Sequence, residues 1–259
     1  MREAALRRSG SGELGLGAVL VAAAAGAWAL TAGRMGAMDA SPGAELGGLG
    51  WFAVSWLVMM TAMMLPALAP MLVACVRRAG RADSVALFAA GYLAAWLAAG
   101  LLAYAVIECV RSLGLGFLAW GEAGRYAAAA VIAGAALYQL TALKGACLRA
   151  CRERGAFIAE RWRRGRIGAL RMGLEHGGWC VGCSWALMAA LFALGAMSLT
   201  WMALVTVLVA AERTLPGPAR LGVAAVLVAL GLWVALAPGA VPGLTVPRSG
   251  PMGGAMEMR

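Results

Sequence analysis

The residues with the most chemical potential lie close together in one stretch, 170–188, which reads LRMGLEHGGWCVGCSWALM. His176 is the only histidine in the chain, four residues before Cys180, which opens a Cys-x-x-Cys ending at Cys183. On a helix turning about 100° per residue, these three side chains fall within roughly 60° of arc. A second pair, Cys147 and Cys151, sits one turn apart in YQLTALKGACLRAC at 138–151. Thiolates suit Cu(I), zinc or iron–sulfur clusters, and imidazole suits zinc and copper. Four thiols and the sole imidazole therefore predict a soft-metal site, copper(I) first and zinc second. Lys144, Arg149 and Arg152 beside the first pair would favour thiolates and offset their negative charge.

Each of these residues taken singly has a plainer role. A lone cysteine packs as a small hydrophobe, and a lone histidine at a helix start is a polar interfacial group. The clustering of two pairs is what points to metal or redox work. Methionines add a weaker signal in WFAVSWLVMMTAMMLPALAPMLVAC, 51–75. Met60, Met64, Met71 and Cys75 share one face within about 60° of arc if the helix is straight. They could form a ladder of soft donors or simply fill an irregular core, and packing is the commoner use of methionine. Pro66 and Pro70 predict a kink, which would free backbone carbonyls that need new partners. Glu175 is adjacent to His176 but points elsewhere on a helix, so it is a poor orienting group for the imidazole.

The elements that position these residues are apolar. Of the 259 residues, 63% are hydrophobic and 13% charged, with mean hydropathy +0.81. A soluble domain of this size needs more charge to cover its surface. Seven apolar runs, near 15–33, 50–75, 85–108, 124–143, 174–196, 198–212 and 219–237, are long enough or nearly so to cross about 30 Å of hydrocarbon. The expected fold is all-α, a polytopic transmembrane bundle of about seven spans. Residues 1–241 are expected to form one integral membrane domain, and 242–259 a disordered tail. The first run is longer than a secretory signal core and lacks a clean cleavage site, so it is read as a span.

Ser41-Pro42-Gly43, Pro216-Gly217-Pro218 and Pro238 punctuate the spans, and a short turn at Ser198 predicts an antiparallel hairpin of the fifth and sixth. Gly91, Gly100, Gly134 and Gly195 are expected at helix-packing positions. Trp51, Trp120, Trp179 and Trp201 are expected as interfacial anchors. In the connection 144–173, Cys147, Leu148, Cys151, Ile158 and Trp162 recur at helical spacing, which predicts an amphipathic interfacial helix between spans four and five, its cysteine face toward the bundle. Gln139, Tyr138, Thr141 and Glu212 are polar groups at span ends that need partners.

The net charge of +10 is a topology signal. With the N-terminus inside, seventeen of the 22 Lys and Arg residues fall on cytoplasmic segments, as the positive-inside rule requires for N-in, C-out. The expected partners are the lipid bilayer and its anionic headgroups rather than nucleic acid. The reading places the protein in the bacterial cytoplasmic membrane, multi-pass, its cysteine cluster at the inner boundary.

These motifs resemble a family of predicted metal-binding integral membrane proteins of bacteria, a domain of unknown function. The resemblance runs from about Trp51 to Pro216. It is carried by MMTAMMLP at 59–66, GYLAAW at 91–96, YQLTALKGACLRAC at 138–151, WRRG at 162–165, GLEHGGWCVGCSWALM at 173–188, LFALGAM at 191–197, then WM and AER. It implies a bound metal, with Cys147, Cys151, His176, Cys180, Cys183 and the methionines Met60 and Met64 as candidate ligands. The chain departs from the family pattern at Ala142, where a proline is usual, and at Ser184, where a third cysteine is usual. The first departure would relax the end of span four. The second would weaken or alter metal binding if that thiol were a ligand.

The leading expectation is a membrane protein that handles or delivers soft metal, with a metallochaperone or a membrane complex as partner. A quinone-linked thiol–disulfide oxidoreductase is the alternative, since two cysteine pairs suffice to relay a disulfide, but inward-facing thiols argue against it. A permease for metal or a small solute ranks lower, because no internal repeat or buried charge pair is apparent. With no phosphate loop, Ser-His-Asp set or paired carboxylates, binding is favoured over catalysis.

Overall fold

The computed structural model describes residues 2–35, 48–79, 82–112, 122–163, 165–195, 198–215 and 219–240. Among them there are helices and no strand: α1 Arg2–Met35, α2 Leu49–Ala79, α3 Ala82–Ser112, α4 Glu122–Gln139, α5 Ala142–Arg152, α6 Arg154–Arg161, α7 Gly165–Gly195, α8 Leu199–Thr214 and α9 Ala219–Leu236. The expected all-α bundle is what forms. The expected boundaries at 41–43 and 216–218, Trp120 and the tail 242–259 lie outside the described residues.

The seven apolar runs are helical over nearly all their described residues, the fourth broken at Leu140 and Thr141, but they differ in reach. Leu49–Arg78, Asp83–Val110, Gly165–Gly195 and Ala219–Leu236 are long and apolar enough to cross a membrane, and Gly124–Gln139 with Ala142–Arg152 makes a fifth if the bent pair is one span. The first run is apolar only over Gly17–Gly33, and α8 has 16 residues. Many large apolar side chains point outward, among them Val19, Leu102, Leu137, Leu232 and Leu236. An outward apolar surface on long helices is compatible with a lipid surround.

Close backbone approach sets the core of the bundle. A Cβ at Gly173 would strike the Phe88 carbonyl, one at Gly177 the Tyr92 backbone, and one at Gly91 the Leu170 carbonyl. These glycines let α3 and α7 lie against each other, as small residues do between membrane helices. Contacts advance together along both chains, Phe88 with Gly173 and Tyr92 with Gly177, so the two helices run parallel. That agrees with third and fifth spans that cross in the same direction. Gly100 makes room for the Trp56 indole, but Gly134 faces open space and is not a packing position. Gly195 ends α7 with φ of 101°, a conformation glycine adopts without strain.

The prolines in α2 behave as the chemistry of a missing N–H demands. The helix continues through Pro66 and Pro70. Pro66 cannot donate to the Ala62 carbonyl, and that oxygen accepts instead from Trp28 Nε1 at 3.1 Å. Trp201, expected at the interface, is buried in the core, because its face of α8 packs inward; Trp51 is exposed and Trp179 half-buried.

The connection after α4 departs most from expectation. No single amphipathic helix spans 144–173: α5 ends at Arg152, α6 follows, and 165–173 already belong to the 31-residue α7. At 1.5 Å per residue α7 is about 46 Å long. The helix therefore begins earlier than the apolar run at 174, and His176 lies well inside it rather than at its start. Between α4 and α5 the axis bends by 66°. Thr141 is extended there, accepts from Lys144 N at 3.2 Å and donates to the Tyr138 carbonyl at 2.8 Å. The side-chain cap supplies the break, so Ala142 in place of proline does not straighten it.

Candidate metal centre

The bend after Gln139 turns α5 back against α7, which brings the two cysteine pairs together. Lys144, Gly145, Cys147, Leu148 and Cys151 form the buried face of α5, as the sequence predicted for its cysteine side. Gly182 has no side chain, and a Cβ there would sit 2.8 Å from Cys147 Sγ, so this glycine admits the α5 sulfur. Cys151 Sγ lies 3.8 Å from Cys183 Sγ. Two sulfurs closer than about 4.6 Å, twice a metal–sulfur bond of about 2.3 Å, can both bond one ion. Cys147, Cys151, Cys180 and Cys183 are all free thiols and all buried.

Ser198 N donates to the Gly195 carbonyl at 3.1 Å, which starts α8 beside the end of α7. Cys180 precedes Gly195 by as many residues as Arg213 follows Ser198, so both stand about 22 Å from the turn at 1.5 Å per residue. Arg213 Nη2 lies 2.6 Å from Cys180 Sγ and 3.9 Å from Cys183 Sγ. Tyr92 Oη from α3 is 2.9 Å from Cys180 Sγ, and Ser184 Oγ is 3.3 Å from Cys183 Sγ. Ser184 thus stands inside the cluster, where a third family cysteine would be.

Of the three expected cationic neighbours only Lys144 stays beside the thiols, and its ammonium is already bonded. Lys144 Nζ bonds Glu212 Oε2 at 2.6 Å, with both side chains buried, and also donates to the Cys183 carbonyl. Arg152 donates to the Glu212 and Leu215 carbonyls, and Arg149 is exposed. The cation in contact with the thiols is Arg213, which the spacing of the cysteines does not point to. Its signal was present in AER at 211–213, part of the resemblance, but spacing along one chain does not show which helix faces Cys180. Tyr92 was likewise legible only as part of GYLAAW. The buried Lys144–Glu212 pair also corrects the expectation that no buried charge pair exists.

His176 is buried, 2% exposed, among the rings of Phe157, Phe88 and Tyr92, with centroids 5.2, 5.9 and 6.1 Å away. Its Nδ1 is buried without a hydrogen-bond partner. Such a nitrogen is costly to leave unsatisfied, and a soft metal is one partner that imidazole accepts. Glu175 turns the other way and pairs with Arg163 at 3.1 Å and Arg161 at 3.3 Å.

Among the described residues, no three His, Cys, Asp or Glu side chains are arranged to hold an ion as they stand. The closest convergence is the Cys151–Cys183 pair, with the Arg213 guanidinium beside it. The methionines are also buried: Met60, Met64 and Met71 are each 1% exposed or less, but so is Met63 off that stripe. Burial therefore does not single the stripe out. Cys75 lines the same cavity as Phe88, and Trp56 bonds the Trp96 carbonyl.

A family model described as a copper chaperone, PpoB2, matches residues 53–236. No curated protein matches the chain. No solved structure matches it.

Proposed function

Since this chain belongs to the PpoB2 copper chaperone family, we propose that it carries copper(I) as cargo within a membrane, gripped first by Cys151 and Cys183. The observation that supports this reading is the 3.8 Å approach of those two sulfurs from different helices. Thiolates select Cu(I) among soft ions, and structural zinc usually demands four ligands. Cys180, His176 and Cys147 are the next donors, on the same faces of α7 and α5. Met60 and Met64, buried on α2, are the outer donors of this reading.

Charge supports the same reading. Two thiolates around Cu⁺ carry a net negative charge, and an unpaired buried charge is costly. Arg213 supplies the compensating cation from 3.9 Å or less. For Cys180 to bind, its sulfur exchanges the guanidinium contact for metal while Arg213 stays close enough to balance the charge.

The reading extends to a multi-pass protein of the bacterial cytoplasmic membrane, with lipid and anionic headgroups around it and a metal-receiving protein as partner. The long apolar helices and the parallel course of α3 and α7 support it. The test is elemental analysis of detergent-purified, reduced protein beside a Cys151→Ser, Cys183→Ser variant. Wild type is expected to hold about one copper per chain and the variant far less; no stoichiometric copper on wild type would end the reading.

A further inference from the structure

A second feature lies apart from the Cys/His cluster, where α2 ends, α3 begins and α6 meets α7. A cavity of about 660 Å³ opens there, within the range of small-ligand pockets, about 300–1,000 Å³. Cys75 and Met172 both line it, and both are almost wholly buried, 4% and 1% exposed. Two soft sulfur groups from different helices thus stand at its inner wall. The outer lining holds three exposed arginines, Arg78, Arg163 and Arg166, against one carboxylate, Asp83. Arg78 is held over the Trp162 ring at 5.8 Å, and Arg163 is paired to Glu175. The mouth is cationic and the floor is sulfurous.

A bare copper ion would be repelled by such a mouth, whereas an anion that carries soft metal suits both halves. We infer that this cavity is the loading port for an anionic copper(I) complex of a small thiol bearing carboxylates. The inference rests on the copper-cargo reading above and names the donor from which that cargo comes. A two-thiolate complex of Cu⁺ has charge −1. In the exchange, one carrier Cu–S bond breaks as a Cu–Sγ bond to Cys75 forms. The Cys75 proton passes to the departing carrier sulfur, so the net charge is conserved. Copper stays +1 and no oxidant is needed. Beyond the cavity wall, Phe88 faces the His176 ring at 5.9 Å, so the port adjoins the cluster it would feed.

The test compares two copper donors on reduced, detergent-purified full chain: the glutathione complex of Cu(I) and the acetonitrile complex. The variants are Cys75→Ser, the pair Arg78→Glu, Arg166→Glu, and Arg78→Lys, Arg166→Lys as the charge-conserving control. Cys75→Ser and the Glu pair are expected to load from glutathione about tenfold or more slowly. The Glu pair should reach wild-type final stoichiometry and load from the cationic acetonitrile complex no more slowly than wild type, and the Lys pair should load normally. Added salt should slow wild type with glutathione only. Glutathione-dependent rates equal to wild type in both slow variants would overturn the port, even with copper bound. A wild type that takes copper from neither donor overturns the cargo reading and the port together. Should Cys75→Ser fold poorly, the exposed Glu pair still decides.

Discussion

At the scale of single residues, the site depends on which side chains share one buried space. Cys183 touches Cys151, Ser184 and Arg213, whereas Cys147 packs against Gly182. Cys183→Ser is therefore expected to abolish stoichiometric copper, and Cys147→Ser to weaken it without abolishing it. Competition with a Cu(I) chelator would show the order, and the reverse order would place the ion on the other side of α7. Arg213→Gln removes the compensating charge, and the affinity for Cu(I) should fall about tenfold or more, the scale of a buried charge interaction. Unchanged affinity in the same competition would mean that another cation balances the site.

The Lys144–Glu212 pair follows a different logic. Lys144→Met leaves a buried carboxylate without its partner and is expected to cost about 3–5 kcal/mol. Lys144→Met with Glu212→Leu should recover most of that loss, because both charges are then removed. Chemical unfolding in detergent measures the difference, and a double variant no better than the single would refute the pairing.

At the scale of elements, the α3–α7 contact and the α4–α5 bend do the positioning. Gly173→Ala forces the helices apart at the Phe88 carbonyl and should cost about 1–3 kcal/mol, with weaker copper binding as Tyr92 moves from Cys180. Gly134→Ala meets nothing within 4 Å and should be neutral, or stabilising by up to about 1 kcal/mol because alanine suits a helix better. Equal effects at both positions, in the same unfolding measurement, would contradict the packing argument. The bend is a local matter of one threonine: Thr141 is extended and caps α5, and Ala142 follows without a proline. The expectation that Ala142 in place of proline relaxes the end of the fourth span is not met, because Thr141 caps α5 without help from a proline.

At the scale of the whole molecule, the outward apolar side chains and the parallel course of α3 and α7 fit a membrane bundle. Cys109 is exposed near the end of α3, and Cys75 is buried near the opposite end of α2. With the N-terminus inside, a membrane-impermeant thiol reagent applied to intact cells should label Cys109 and leave Cys75 unlabelled. Labelling of Cys75 alone would invert the topology. The cavity beside Cys75 would then face outward, and its copper donor would have to be an extracytoplasmic one.

Composition and periodicity alone determined the helical class, the run of apolar segments and the cysteine face of α5, because these depend on residue type and spacing within one helix. The tertiary structure decided which helices meet. Arg213 and Tyr92 reach Cys180 from α8 and α3, and Lys144 pairs with Glu212 beside the thiols. Those partners are set by glycine contacts, a capped bend and a hairpin register, which are distances between segments far apart in the chain. No pattern within a single segment encodes such a distance.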